Sequence, residues 1–231
     1  PEAAKRVQKL YKTFVNGEVL ITNSRTAEMS KLTENACRDV NIAFANELSI
    51  LSDKFGIDVW ELISLANRHP RINILKPGSG VGGHCIAIDP WFIVAEGGED
   101  ARIIRTAREI NNRKPNWVTE KVEKTIQEFK LKNKKDPVVA CMGIAFKPDI
   151  DDLRESPSLE IAQDMINKGM NVLIVEPNVN NHLSFTITEA NEAIAKSDII
   201  LFLVAHKPFK DISLPEDKIV IDICGVRSKY N

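Results

Sequence analysis

Apolar positions recur with a helical period over Thr26–Phe55, at Leu32, Ala36, Val40, Ala43, Phe44, Leu48 and Leu51. Sustained for about eight turns, this period predicts one long helix with an apolar stripe. Such a helix exceeds what one small domain needs, so it also predicts a contact between two copies of the chain. A short helix is expected over Val59–Asn67. It is closed by Arg68-His69-Pro70, because the residue before a proline avoids the helical region. A glycine loop follows from Lys76 to Cys85, and Asp89-Pro90 reads as an N-cap with proline at the first helical position. Further helices are expected over 100–112 and 115–130.

The run Lys130–Pro137 is polar and breaks the period, so a domain boundary is expected there, dividing 1–132 from 133–231. Beyond it the pattern changes. Apolar runs at Val138–Phe146, Asn171–Val175, Asp198–Val204 and Lys218–Ile223 read as strands. They alternate with helices, one capped by Ser156-Pro157 and stopped at Gly169, another over Thr188–Lys196. Continuous apolar strands between helices indicate a parallel sheet covered on both faces. The fold class is therefore α/β, a helical region followed by a parallel-sheet domain.

Composition narrows the function. Of 231 residues, 31 are Lys or Arg and 32 are Asp or Glu, a net charge of −1. That balance removes the bulk electrostatic reason to bind nucleic acid or an anionic membrane. No apolar run reaches the length of a membrane span. Cys37, Cys85, Cys141 and Cys224 lie far apart with no C-x-x-C, which argues against a zinc site or a disulfide framework and fits a reducing cytoplasm.

Gly78–Gly83 matches G-x-G-x-x-G, but no good strand precedes it and no helix follows directly, so a dinucleotide fingerprint is not supported. The loop is either a flexible surface segment or a place where backbone approaches a ligand closely. Cys85 alone of the four cysteines follows such a loop, where a thiol can be exposed and activated; the other three read as packing residues. Lys31, Asn35 and Arg38 share one helix face, either solvated or aimed at an anion or developing oxyanion. Asp89 reads as a helix cap able to contact a bound water. Lys147 and Arg154 follow the first strand at the carboxyl end of the sheet, where open α/β sheets bind ligands. Trp91, Phe92 and Trp117 are expected in the core.

Three segments carry a resemblance over nearly the whole chain: Ala27–Asn35, Gly82-Gly83-His84-Cys85 with Asp89, and Phe146-Lys147 through Arg154-Glu155-Ser156-Pro157. Together they resemble the UDP-glucose/GDP-mannose dehydrogenase family. The family has an NAD-binding Rossmann domain, a central helical dimerisation domain and a C-terminal Rossmann-like UDP-sugar domain, and this chain resembles the second and third. With its start at Pro1, the chain is therefore expected to be part of a longer NAD-dependent UDP-sugar 6-dehydrogenase, inactive alone and dimeric through helix 26–55. The resemblance implies that Cys85 is the nucleophile and Lys31 an acid/base. Asn35 would hold the oxyanion with Lys31, and Asp89 would position the hydrolytic water. It places Lys31, Asn35, Arg38, His69, Arg71, Gly82, Phe146 and Lys147 on the UDP-sugar and Arg154 on the NAD phosphates. The family has a basic residue where this chain has Cys224, and Arg227 is the candidate substitute for that contact. Two other classes compete: a non-catalytic nucleotide-sugar-binding module, and a cysteine hydrolase pairing Cys85 with His69 or His84.

Overall fold

The structure is a computed structural model that describes residues 2–179 and 185–230. A helix α1 (Glu2–Tyr11), which the apolar pattern left unassigned, precedes the long helix α2 (Ser24–Phe55). Asn23 starts α2 by accepting the Thr26 amide at 2.9 Å, and Gly56 ends it in a left-handed conformation, φ 68°. α3 (Val59–Ala66) is capped by Asp58, and α4 (Asp89–Gly97) follows the glycine loop. α5 (Arg102–Asn133) packs along α2 with its first half and reaches the sheet with its second.

The second half is the expected parallel sheet. Its strands are β1 (Val138–Met142), β2 (Asn171–Val175), β3 (Ile199–Phe202) and β4 (Ile219–Asp222), in the order β2-β1-β3-β4. All pairs are parallel, with Ala140 opposite both Leu173 and Ile200, and Ile200 opposite Val220. Alternation along each strand serves two faces. Val139, Cys141, Ile199 and Leu201 pack on Val118, Val122 and Ile126 of α5 and on Ile161 and Met165 of α6 (Pro157–Asn167). Ala140, Met142, Ile200 and Phe202 pack on α7 (Ala190–Lys196) and on Phe209. The α/β class with a helical region is borne out.

Several local expectations are corrected. The helices placed at 100–112 and 115–130 are one helix. Pro115 lies inside it without breaking it, although it has no N–H to offer the Asn111 carbonyl. The glycine loop crosses at that carbonyl, close enough that a β-carbon on Gly80 would lie 3.2 Å from it. The apolar stripe of α2 is buried only in part, and its buried face is mixed with polar residues. Phe44 and Leu51 are exposed, while Asn35, Asp39 and Asn46 are buried with Ala36 and Ala43. Trp91 and Phe92 are exposed and not in the core, whereas Trp117 packs against the sheet core as expected. Cys141 and Cys224 are buried, but Cys37 is exposed and not a packing residue.

Candidate active site

The glycine loop is pressed against the sheet half. A β-carbon on Gly82 would lie 2.4 Å from the Glu155 carbonyl oxygen and 2.9 Å from the Phe146 β-carbon. On Gly83 it would lie 3.0 Å from the Phe146 ring. The loop is also stitched at both sides. Gly78 donates its amide to Asn46 Oδ1 at 2.9 Å, and the Ser79 hydroxyl donates to the Leu203 carbonyl at 3.0 Å. Cys85 leaves this loop with an exposed thiol, at the seam between the two halves.

Asp89 does not cap α4. It is the helix's first residue, and Ile88 precedes it without a side-chain cap. Its carboxylate is engaged elsewhere: Asp89 Oδ2 accepts from Asn35 Nδ2 at 2.5 Å. This contact ties α2 to α4. One turn back, the Cys85 carbonyl accepts the amides of Ile88 and Asp89 at 3.1 and 2.8 Å. The fold thus brings Cys85, Asp89 and Asn35 together. Asn35 has a second amide hydrogen and Asp89 a second carboxylate oxygen with no further partner among the described contacts. Lys31 lies one turn before Asn35, exposed and paired with Glu34 at 3.2 Å.

Arg38 faces a different space. It lines a cavity of about 700 Å³ with Asn67, Arg68, Lys76 and Tyr230. His69 and Arg71 are exposed beside it, the His69 Nδ1 accepting the Arg71 amide at 3.3 Å. Arg68 and Lys76, not singled out from sequence, place two more cations on this cavity. Asn67 closes the segment by bonding both backbone groups of Ile74, at 2.7 and 3.0 Å. The C-terminal segment forms the far wall: Gly225 sits directly on the Trp60 ring, and the Tyr230 hydroxyl donates to Glu61 at 2.8 Å.

Phe146 is half-buried and Lys147 exposed, on a loop leaving β1. Arg154 lies farther along that loop, its guanidinium doubly bonded to Asp152 at 2.7 to 3.1 Å. These bonds hold the Asp152 carboxyl down at about 2. The Arg154 side chain is 69% exposed, so a ligand phosphate can compete with Asp152 for it. Where the family pattern has a base, Cys224 is buried and its thiol is pushed well up by burial and by Asp222. Arg227 Nη1 donates to the carbonyls of Lys210 and Ile212 at 2.7 and 2.9 Å, which commits that nitrogen to the chain's own backbone. Cys85 Sγ has no hydrogen bond to His69 or His84 among the described residues.

A parallel-sheet domain is joined through a glycine loop to a helical unit that presents an exposed cysteine beside an acid–amide pair, an arrangement whose identity rests on its relatives. Comparison with known proteins makes it specific. Residues 25–113 match the central domain of the UDP-glucose/GDP-mannose dehydrogenase family, and residues 140–229 match its UDP binding domain. The chain belongs to that family. It is 52% identical over 227 residues to a UDP-N-acetyl-D-mannosamine dehydrogenase of Campylobacter jejuni, covering 95% of this chain and 54% of that protein. It is 50% identical over 235 residues to an NDP-N-acetyl-D-galactosaminuronic acid dehydrogenase of Ralstonia nicotianae, covering 99% and 54%. A solved UDP-D-ManNAc dehydrogenase from Pyrococcus horikoshii superposes with a TM-score of 0.88 at 36% identity, over 99% of this chain and 55% of that one. The chain spans about half the length of the curated relatives it matches.

Proposed function

We propose that the chain is the central and UDP-sugar-binding part of an NAD-dependent UDP-sugar 6-dehydrogenase that oxidises UDP-N-acetyl-D-mannosamine to the uronate. Residues 1–132 would form the helical unit with the thiol and residues 133–231 the UDP-sugar unit. The observation that carries this reading is the exposed Cys85 thiol one turn before Asp89, whose carboxylate is bonded to Asn35 at 2.5 Å. NAD⁺ supplies the hydride acceptor for both oxidations when bound, and Arg154 is the residue here suited to its phosphates. Cys85 Sγ adds to the C6 aldehyde, and the free Asn35 N–H and the Lys31 ammonium hold the resulting oxyanion. Oxidation at C6 leaves a thioester on Cys85. Water positioned by the second oxygen of Asp89 attacks it, the C–S bond breaks and the thiolate is released. The cations Arg38, His69 and Arg71, with Gly82, Phe146 and Lys147, would hold the UDP-sugar.

Met29, Phe44, Leu51 and Phe55 leave α2 exposed and apolar, which supports a homodimer through this helix. Light scattering at micromolar concentration should then give twice the chain mass, and a monomer would count against it. The four free cysteines, one of them reactive in the mechanism, suit a reducing, cytoplasmic compartment. A second reading, an N-acetylgalactosamine-configured sugar as substrate, is favoured by the Ralstonia relative's name at 50% identity. A panel of UDP-sugars on the full-length protein, glucose and N-acetylglucosamine included, separates the two. In that protein Cys85→Ser should lower carboxylate formation at least about a hundredfold. Near-normal carboxylate production would show that the nucleophile is elsewhere. The same assay disposes of a purely binding module.

A further inference from the structure

The sheet half holds a buried ionisable pair that the proposed chemistry does not use. Glu176 directly follows β2 and His206 lies just past β3, 3% and 0% exposed. An acid at the end of β2 is where dinucleotide folds grip a ribose. Here it is turned inward. Glu176 Oε2 accepts the amides of Ile144 and Ala145 at 2.8 and 3.0 Å and lies 3.1 Å from His206 Nε2. Burial alone would push this carboxyl up, but the bonds from His206 and the amides outweigh it and hold it below its ordinary value. On the other side of the ring, Nδ1 meets two donors: the Asp149 amide at 2.9 Å and Asn178 Nδ2 at 3.0 Å. Nδ1 must therefore be the bare acceptor, and the ring hydrogen sits on Nε2, donated to Glu176.

These bonds converge on one loop. Its base is closed by the Phe146 amide donating to the Asp152 carbonyl at 3.2 Å. Its tip is Asp149, held at φ 60°, with Oδ1 accepting the Lys207 amide at 2.9 Å. Phe146 stands at the base, and Lys147 lies between it and the tip. Gly143, φ 91°, makes room for the anchor, because a β-carbon there would lie 3.0 Å from the His206 ring and 2.6 Å from Val204.

We propose that His206, oriented by Glu176, is a positioning residue: its Nδ1 anchors the tip of the 146–152 loop and so fixes where Lys147 meets the UDP-sugar. This rests on the reading that Phe146 and Lys147 hold that substrate. Asparagine places an amide oxygen near the Nδ1 position, whereas glutamine reaches toward the Nε2 position and leaves Asp149 without an acceptor. In the full-length protein, His206→Gln should raise KM for the UDP-sugar about tenfold with kcat within about threefold. His206→Asn should recover most of that loss. Lys147→Ala should also raise KM, and adding His206→Gln to it should cost less than about twofold more, because both act through one contact. An unchanged KM in His206→Gln while Lys147→Ala raises it overturns the positioning role alone. So do equal losses in the Gln and Asn variants, or full additivity with Lys147→Ala. An unchanged KM in Lys147→Ala overturns the substrate-loop reading, and the positioning role falls with it. Nitrogen-15 correlation spectra of the unmodified protein test the anchor without any variant: an Nε2–H tautomer at His206 is expected, and an Nδ1–H tautomer refutes it.

Discussion

α2 and α5 meet through Asp39, Asn46, Arg108, Asn111 and Lys114, whereas the sheet meets its helices through Val139, Leu201, Ile161, Met165 and their aliphatic neighbours. Arg108 and Asp39 pair at 2.6 Å, nearly without exposure, and Asn111 bonds both Asp39 and Asn46. Asn46 in turn holds the amide of Gly78 at the start of the glycine loop. The helical half therefore fixes its geometry by directional bonds that end at the loop carrying Cys85. The sheet half fixes its own by volume and area. The polar route is dear: burial pushes the Asp39 carboxyl up against the opposing pull of Arg108, and Asp39 Oδ2 and Arg108 Nε find no partner among the described residues. A polar interior that costs stability and ends at the proposed site fits a role in orientation more than in stability.

The contrast is sharpest in paired core substitutions. Arg108→Leu keeps the bulk but strands Asp39, so a loss of about 3–5 kcal/mol is expected at neutral pH. That loss should shrink in acid. Without Arg108 the Asp39 carboxyl titrates above its unfolded value, so protonation as pH falls relieves the buried charge. Leu201→Ala, in the fully buried sheet core, should cost about 2–5 kcal/mol with no comparable pH dependence, since only transfer and cavity terms change. Denaturant melts at two pH values test both. Equal pH dependence in the two variants would break the comparison.

The seam between the halves gives a smaller effect. Gly82→Ala puts a methyl group 2.4 Å from the Glu155 carbonyl, a backbone atom with little freedom to yield. A loss of about 1–3 kcal/mol is expected from overpacking, and catalytic activity should fall further than stability because Cys85 rides on the displaced loop. A variant that melts normally and turns over normally would show that the loop is not held by the sheet half.

The sheet half was legible in the sequence because its strands are continuous aliphatic runs between helix caps, and each run paired as read. β2 has the bounds read, and the other three strands are shorter than their runs, β1 ending at Met142 where Gly143 turns the chain. The helical half misled the apolar period for the reason that sets it apart. Its buried face mixes Ala36 and Ala43 with Asn35, Asp39 and Asn46, while Phe44 and Leu51 of the stripe face outward, so the period marked that face only in part. The helices read at 100–112 and 115–130 are one, because packing on both sides of Pro115 carries α5 through. Cys85, Asn35 and Asp89 were legible as candidates. The Asn35–Asp89 bond was not, since the two lie 54 positions apart. Glu176 and His206 carried no sequence signal, because isolated polar residues after strands look like solvated loop.

The smallest expected effect is also the one with reversed sign. Lys114 is 1% exposed, its ammonium 2.5 Å from the Ser49 hydroxyl and 3.8 Å above the Trp117 ring. Burial outweighs these contacts and the attraction of Asp53, while Lys121 adds repulsion, and together they lower its pKa to about 7. An unfolded lysine titrates near 10.4. Below about pH 7 both states carry the proton and the fold bears the full cost of burying the charge. Between about 7 and 10 the unfolded chain binds the proton that the native state has lost, so this group makes stability rise with pH. Lys114→Met fills the same space without a charge. It leaves Ser49 satisfied, because that hydroxyl donates to the Asn46 carbonyl at 2.6 Å. The variant should therefore melt at least about 2 °C higher at pH 7, with the advantage fading as pH approaches 10. A variant less stable than the parent at pH 7 would mean that this lysine is held by its contacts rather than tolerated, and that the polar interior of the helical half is as well satisfied as the apolar core beside it.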